Sequence, residues 1–189
     1  MPVMSETVVA SSAQIAHPLD EFYARARRPM PALQFVDREE VPAPYKQLLA
    51  HDHDMTSTLE HFHEQRIHLR VLNREQQGND YSREVVLELD GTNTPVEFGA
   101  IKIHLNGFPP AARERILEAH WPLGRILKEF HIPYLSRPKA FLRIASDRLI
   151  SGALQLTGTH KLYGRCNRLA DPQGLPLAEI VEVLPPTHE

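Results

Sequence analysis

The stretch YSREVVLELDGTNTPVEFGAIKIHL, residues 81–105, contains two runs of alternating apolar side chains separated by a turn. The apolar positions of the first run are Tyr81, Val85, Leu87 and Leu89, and those of the second are Ile101, Ile103 and Leu105. Successive side chains of a β-strand point to opposite faces, so each run predicts a strand with one apolar face. The short turn between them makes these strands antiparallel neighbours.

The segments around this hairpin predict an α+β fold. Strand-like alternation also predicts four further strands, at residues 66–75, 139–146, 161–170 and 175–185. Short helical segments precede residue 66, and two helices that open on prolines follow residue 108, because proline is favoured in the first helical turn. Helices, three strands, two helices and three strands predict a single domain with a mostly antiparallel six-stranded sheet and helices packed on it.

The composition fits one globular domain over residues 17–189, after a tail over residues 1–16 that we expect to be mobile. Of the 189 residues, 42% are hydrophobic and 24% are charged, which is sufficient for a core. The net charge of -3 argues against nucleic acid as a partner, and no apolar run approaches the length of a membrane span. The single cysteine, Cys166, cannot form an internal disulfide, so we expect a cytoplasmic protein.

Two charged residues occupy positions where the strand pattern requires apolar side chains. Arg83 shares a face with Tyr81 and Val85, and Glu182 shares a face with Ile180 in the last predicted strand. An unpaired buried charge costs several kcal/mol, so each needs a partner or a ligand. Two interpretations follow: the charges form ion pairs with each other or with neighbours, or they line a pocket in which Arg83 binds an anion and Glu182 exchanges a proton with it.

A histidine-rich segment offers a different kind of site. His51, His53, His61, His63 and His68 stand among acidic residues, a set of ligand types that suits zinc, nickel or iron. His61 and His63 are two residues apart in a predicted helix and do not share a face, so we favour surface histidines over a metal site. Cys166 has no designated base beside it and is interpreted as a strand residue, not a nucleophile.

Five motifs together resemble the chorismate lyase family. In chain order they are HDHDMTSTLE, DYSREVVL, WPLGRIL, YGRCNRL and GLPLAEIVEVLP, and the similarity extends from about Asp52 to Pro185. The resemblance extends to the ligand-binding UTRA domains of bacterial transcription regulators, which share the family's fold.

The resemblance implies a site made of four residues. Arg83 matches the arginine that binds a ligand carboxylate, and Glu182 matches the acidic residue near the end of the last strand; these two would be the catalytic pair. Met55 matches a ligand-contacting methionine, and Leu123 matches a leucine whose backbone contacts the ligand. Arg83 and Glu182 are also the two charges that strand alternation places on an apolar face.

The activity that the resemblance implies is a carbon–oxygen lyase reaction, in which chorismate loses pyruvate to give 4-hydroxybenzoate, with no metal or organic cofactor. The alternative is a non-catalytic module of the same fold that binds a small aromatic carboxylate. That module would keep Arg83 without needing a working acid. Both expectations name a small molecule as partner, and neither involves nucleic acid or a membrane.

Overall fold

A computed structural model describes residues 16–187, so residues 1–15 of the predicted tail lie outside the described part of the chain. The strands are β1 (Leu33–Val36), β2 (Ile67–Gln77), β3 (Asp80–Leu89), β4 (Pro95–His104), β5 (Leu135–Ala145), β6 (Lys161–Ala170) and β7 (Pro176–Leu184). The α-helices of this part are α1 (Leu19–Arg25), α2 (Tyr45–Leu49), α3 (Met55–His63), α4 (Pro110–Glu118), α5 (Leu123–Glu129) and α6 (Arg148–Ala153). None of these helices is long and apolar enough to cross a membrane.

The strands form one sheet in the order β1-β5-β6-β7-β4-β3-β2, and all neighbouring strands are antiparallel. The predicted α+β fold with an antiparallel sheet is therefore confirmed. The strand number is corrected from six to seven, because β1 lies at the sheet edge beside β5. β1 has four residues with no alternation of burial, so its sequence carries no strand signal and its pairing with β5 defines it.

Helices cover both faces of the sheet, and the alternation along β3 determines which side chains they cover. Helices α2 to α5 pack on the face that carries Tyr81 and Leu87, the side predicted to be apolar. Helices α1 and α6 pack on the opposite face, which carries Val86. Arg83 and Glu182 therefore point into the layer beneath α2 to α5, as alternation predicts.

Candidate functional site

A cavity lies between the sheet and the first turns of α3 and α5. Its floor comes from β2, β3, β4, β6 and β7, and its volume is about 520 Å³ when its mouth is included. The enclosed space is only about 50 Å³, so the interior is narrow. The four residues singled out in the sequence all line this cavity: Met55, Arg83, Leu123 and Glu182.

The roof of the cavity is fixed where α3 and α5 meet. Asp54 caps α3 by accepting a hydrogen bond from the Ser57 amide at 2.8 Å, and it also accepts one from the Tyr134 hydroxyl at 3.2 Å. Gly124, in the first turn of α5, lies so close that a Cβ there would stand 2.3 Å from Asp54 Oδ1. Glycine at this position therefore lets the two helix ends approach each other, and Met55 and Leu123 at those ends both line the cavity.

Arg83 has a buried guanidinium with unused hydrogen-bond donors. Its side chain is 1% exposed, and Nη2 donates to the Trp121 carbonyl at 3.2 Å. Neither Nε nor Nη1 has a hydrogen-bond partner, and no carboxylate within residues 16–187 lies at ion-pair distance. Burial lowers the pKa of Arg83 to about 10, so the group is still charged at neutral pH. A positive charge therefore faces the cavity without an acidic partner among the described residues.

Glu182 pairs with Arg165 of β6 and not with Arg83. Arg165 is fully buried, and its Nε donates to Glu182 Oε2. Its Nη1 donates to the carbonyls of Leu49 and His51, both at 3.0 Å, and its Nη2 donates to that of His53 at 3.3 Å. The pair therefore fastens the loop before α3 to the sheet, and Glu182 is a structural partner of Arg165.

Glu97 is another ionisable residue of the cavity, and the sequence reasoning missed it. It lies on β4 and is 4% exposed, and its Oε2 has no hydrogen-bond partner within residues 16–187. Burial, and secondly the nearby Glu182 carboxylate, raises the pKa of Glu97 well above its ordinary value, which favours the protonated form of the group. Alternation places Ile101 and Ile103 on one face of β4, and it places Glu97 on the same face. The sequence pattern therefore predicts that Glu97 is buried.

The histidines of the predicted alternative site do not converge. His51 contacts the Leu48 carbonyl through Nε2 at 2.7 Å and accepts the His53 amide on Nδ1 at 3.1 Å, so its ring stabilises the loop before α3. Burial lowers the pKa of His51, which keeps the ring neutral at neutral pH. Within the described part of the chain, no three His, Cys, Asp or Glu side chains are arranged to hold a metal ion.

Comparisons with known proteins relate the fold to ligand-binding domains. The ligand-binding domain of a GntR-family transcriptional regulator from Bordetella bronchiseptica matches with a TM-score of 0.50 and 14% identity, over 65% of this chain and 87% of that one. The effector domain of PhnF from Mycobacterium smegmatis matches with a TM-score of 0.53 and 11% identity, over 70% and 88% of the two chains. A Staphylococcus aureus gene product matches with a TM-score of 0.53 and 10% identity, over the same shares. No protein-family model and no curated protein matches the chain.

The expectation of a carbon–oxygen lyase is corrected by these comparisons. The named matches are a regulator's ligand-binding domain and an effector domain, and neither is described as a lyase. The geometry supplies a physical reason, because the acid that the resemblance assigned to proton transfer, Glu182, is already held by Arg165. What the resemblance implied correctly is the fold shared with UTRA domains.

Proposed function

We propose that the protein is a non-catalytic binding module for a small aromatic carboxylate. The ligand lies in the cavity between the sheet and the first turns of α3 and α5, with its carboxylate on Arg83. The observation that carries this proposal is the buried guanidinium of Arg83, whose Nε and Nη1 donate to no group in the described residues.

The charge of Arg83 favours an anionic ligand. A buried arginine without a counter-charge lowers the stability of the free protein. A protein that retains such an arginine commonly uses it to bind an anion. A carboxylate would supply acceptors for the two unused donors and a counter-charge for the guanidinium. Charge-assisted hydrogen bonds of this kind are about twice as strong as those between neutral groups.

The remaining walls favour a flat apolar body behind that carboxylate. Val85 and Ile101 of the floor and Met55 and Leu123 of the roof present aliphatic or thioether side chains to the cavity. The narrow interior admits a ring more readily than a branched group, because a planar body fits between the two layers. An aromatic acid combines both requirements.

Isothermal titration calorimetry with 4-hydroxybenzoate as the probe tests the proposal. We expect the unmodified protein to bind the probe and Arg83→Leu to lower the affinity by at least about tenfold, the value of one charge-assisted hydrogen bond. The matched control is Arg137→Leu, which removes the same charge from an exposed position on β5 and should leave binding unchanged. Absence of binding to the unmodified protein, or equal affinity in Arg83→Leu, contradicts the proposal.

A further inference from the structure

Glu97 also lines the cavity, and neither the resemblance nor the proposed function uses it. We propose that Glu97 is a second recognition residue, whose neutral carboxylic acid donates a hydrogen bond to an uncharged oxygen at the end of the ligand away from Arg83. This inference rests on the proposed function, because it concerns the same cavity and the same ligand.

The strand register places the two groups at opposite ends of the cavity floor. Arg83 lies opposite Ile101, whereas Glu97 lies opposite Leu87, which is four residues further along β3. With a rise of about 3.4 Å per residue, four residues separate the two positions by about 14 Å along the strand direction. Both side chains line the cavity and are on the same face of the sheet, so a ligand on Arg83 extends its other end towards Glu97.

The surroundings of Glu97 favour its protonated form, and they leave its Oε2 without a hydrogen-bond partner within residues 16–187. The groups that act on it are the carboxylates of Glu182 and Asp54, which oppose a further negative charge, and the guanidinium of Arg165. Arg165 already uses four of its five N–H groups on Glu182 and three backbone carbonyls, and none of these bonds goes to Glu97. A protonated carboxyl carries an O–H donor, and a buried donor without an acceptor costs about 1–3 kcal/mol, so a ligand acceptor would stabilise it.

A chemical class of ligand follows from this arrangement. One end of the ligand is a carboxylate for Arg83, and the other end carries a hydroxyl, ether or carbonyl oxygen for Glu97. A second carboxylate at that end would meet Glu182 and Asp54, and like charges in a buried site repel each other. The cavity should therefore prefer a benzoate with a neutral oxygen at the para position over benzoate itself, and should reject a dicarboxylate.

The test compares two ligands on three forms of the protein. Calorimetry with 4-hydroxybenzoate and with benzoate gives a preference ratio, which we expect to be about five- to tenfold in the unmodified protein, the contribution of one hydrogen bond. Glu97→Leu should reduce the ratio to about one while benzoate still binds. Glu97→Gln, which keeps a neutral donor of the same shape, should retain most of the preference, and terephthalate should bind more weakly than benzoate.

The outcomes separate this proposal from the proposed function. Unchanged preference in Glu97→Leu overturns the role of Glu97 but leaves anion binding by Arg83 intact. Failure of both benzoates to bind the unmodified protein overturns both proposals. Infrared difference spectra of the unmodified protein and Glu97→Gln add a measurement without ligand: the band of a protonated carboxyl should be lost in the variant, and its absence from the unmodified protein contradicts the proposal.

Discussion

The most informative prediction is that Arg83→Leu makes the ligand-free protein more stable. Arg83 is buried on a strand face with Tyr81 and Val85, and its guanidinium donates a hydrogen bond to the Trp121 carbonyl and lies near the Tyr81 hydroxyl. Leucine suits an apolar face and has no charge to desolvate. If Arg83 is kept for a ligand, its replacement should raise the free energy of unfolding, whereas replacing a structural arginine would lower it.

The magnitude follows from the pKa of Arg83. Burial lowers the pKa of Arg83 from that of an ordinary arginine to about 10. At about 1.4 kcal/mol per pH unit, keeping the charge in the cavity costs about 3 kcal/mol. The lost hydrogen bond to Trp121 offsets about 1.5 kcal/mol of this, so the net gain is about 1–2 kcal/mol. For a chain of this length that corresponds to a rise in Tm of roughly 3–6 °C.

Urea unfolding followed by circular dichroism measures this change, with Arg137→Leu as the control for the loss of one positive charge. The control should change the free energy of unfolding by less than about 0.5 kcal/mol, because Arg137 is exposed. If the free energy of unfolding of Arg83→Leu is instead lower by more than about 1 kcal/mol, Arg83 contributes to the fold through contacts that a leucine cannot replace. That result would contradict the prediction.

Three further predictions concern the rest of the cavity. Glu182→Ala should lower the free energy of unfolding by about 3–5 kcal/mol, because Arg165 is left buried without its carboxylate. Glu179 is partly exposed on the same strand, so Glu179→Ala should lower it by less than about 1 kcal/mol in the same urea titration. Gly99→Ala should weaken 4-hydroxybenzoate binding in calorimetry, since the new Cβ would stand 3.0 Å from Glu97 Oε1, and overpacking of this kind costs about 1–3 kcal/mol. Because the pKa of Glu97 is raised in the folded protein, its contribution to the free energy of unfolding is complete below the ordinary pKa of about 4.5. As the pH rises from there towards the higher pKa of the folded protein, this contribution falls by up to about 1.4 kcal/mol per pH unit. The free energy of unfolding of Glu97→Gln, measured from pH 4.5 to 7, should not show that fall.

The parts of the site that sequence could predict are those that depend on one strand at a time. Side-chain alternation is a local property of the backbone, so Arg83 could be assigned to the buried face of β3 without any knowledge of its neighbours. The same reasoning covers Glu182 on β7, and it would have covered Glu97 on β4 if the count had been extended towards the start of that strand. All three lie where alternation places them.

The parts that sequence could not predict depend on pairing between strands. If β6 and β7 paired without irregularity from the turn that joins them, Arg165 would lie opposite Val181. A register shift between Leu169 and Ala170 places Arg165 opposite Glu182 instead. No sequence pattern marks this register shift, so the ion pair between Arg165 and Glu182 could not be predicted. The edge strand β1 was missed for the same reason, since only its contact with β5 makes it a strand.

The wrong expectation of a lyase has the same origin. Motifs can identify a fold and the positions of charged residues, but activity depends on whether each group is free to react. Arg83 has no acidic partner within residues 16–187, whereas Glu182 is paired with Arg165, a residue of the motif YGRCNRL to which the resemblance assigned no role.

A crystal structure of the protein grown with 4-hydroxybenzoate would show whether Arg83 binds the carboxylate of the ligand. We expect the ring between the sheet and the first turns of α3 and α5, with its carboxylate within hydrogen-bond distance of Arg83 Nε or Nη1. A carboxylate bound elsewhere, or a cavity that holds the ring with Arg83 still without an acceptor, would contradict it.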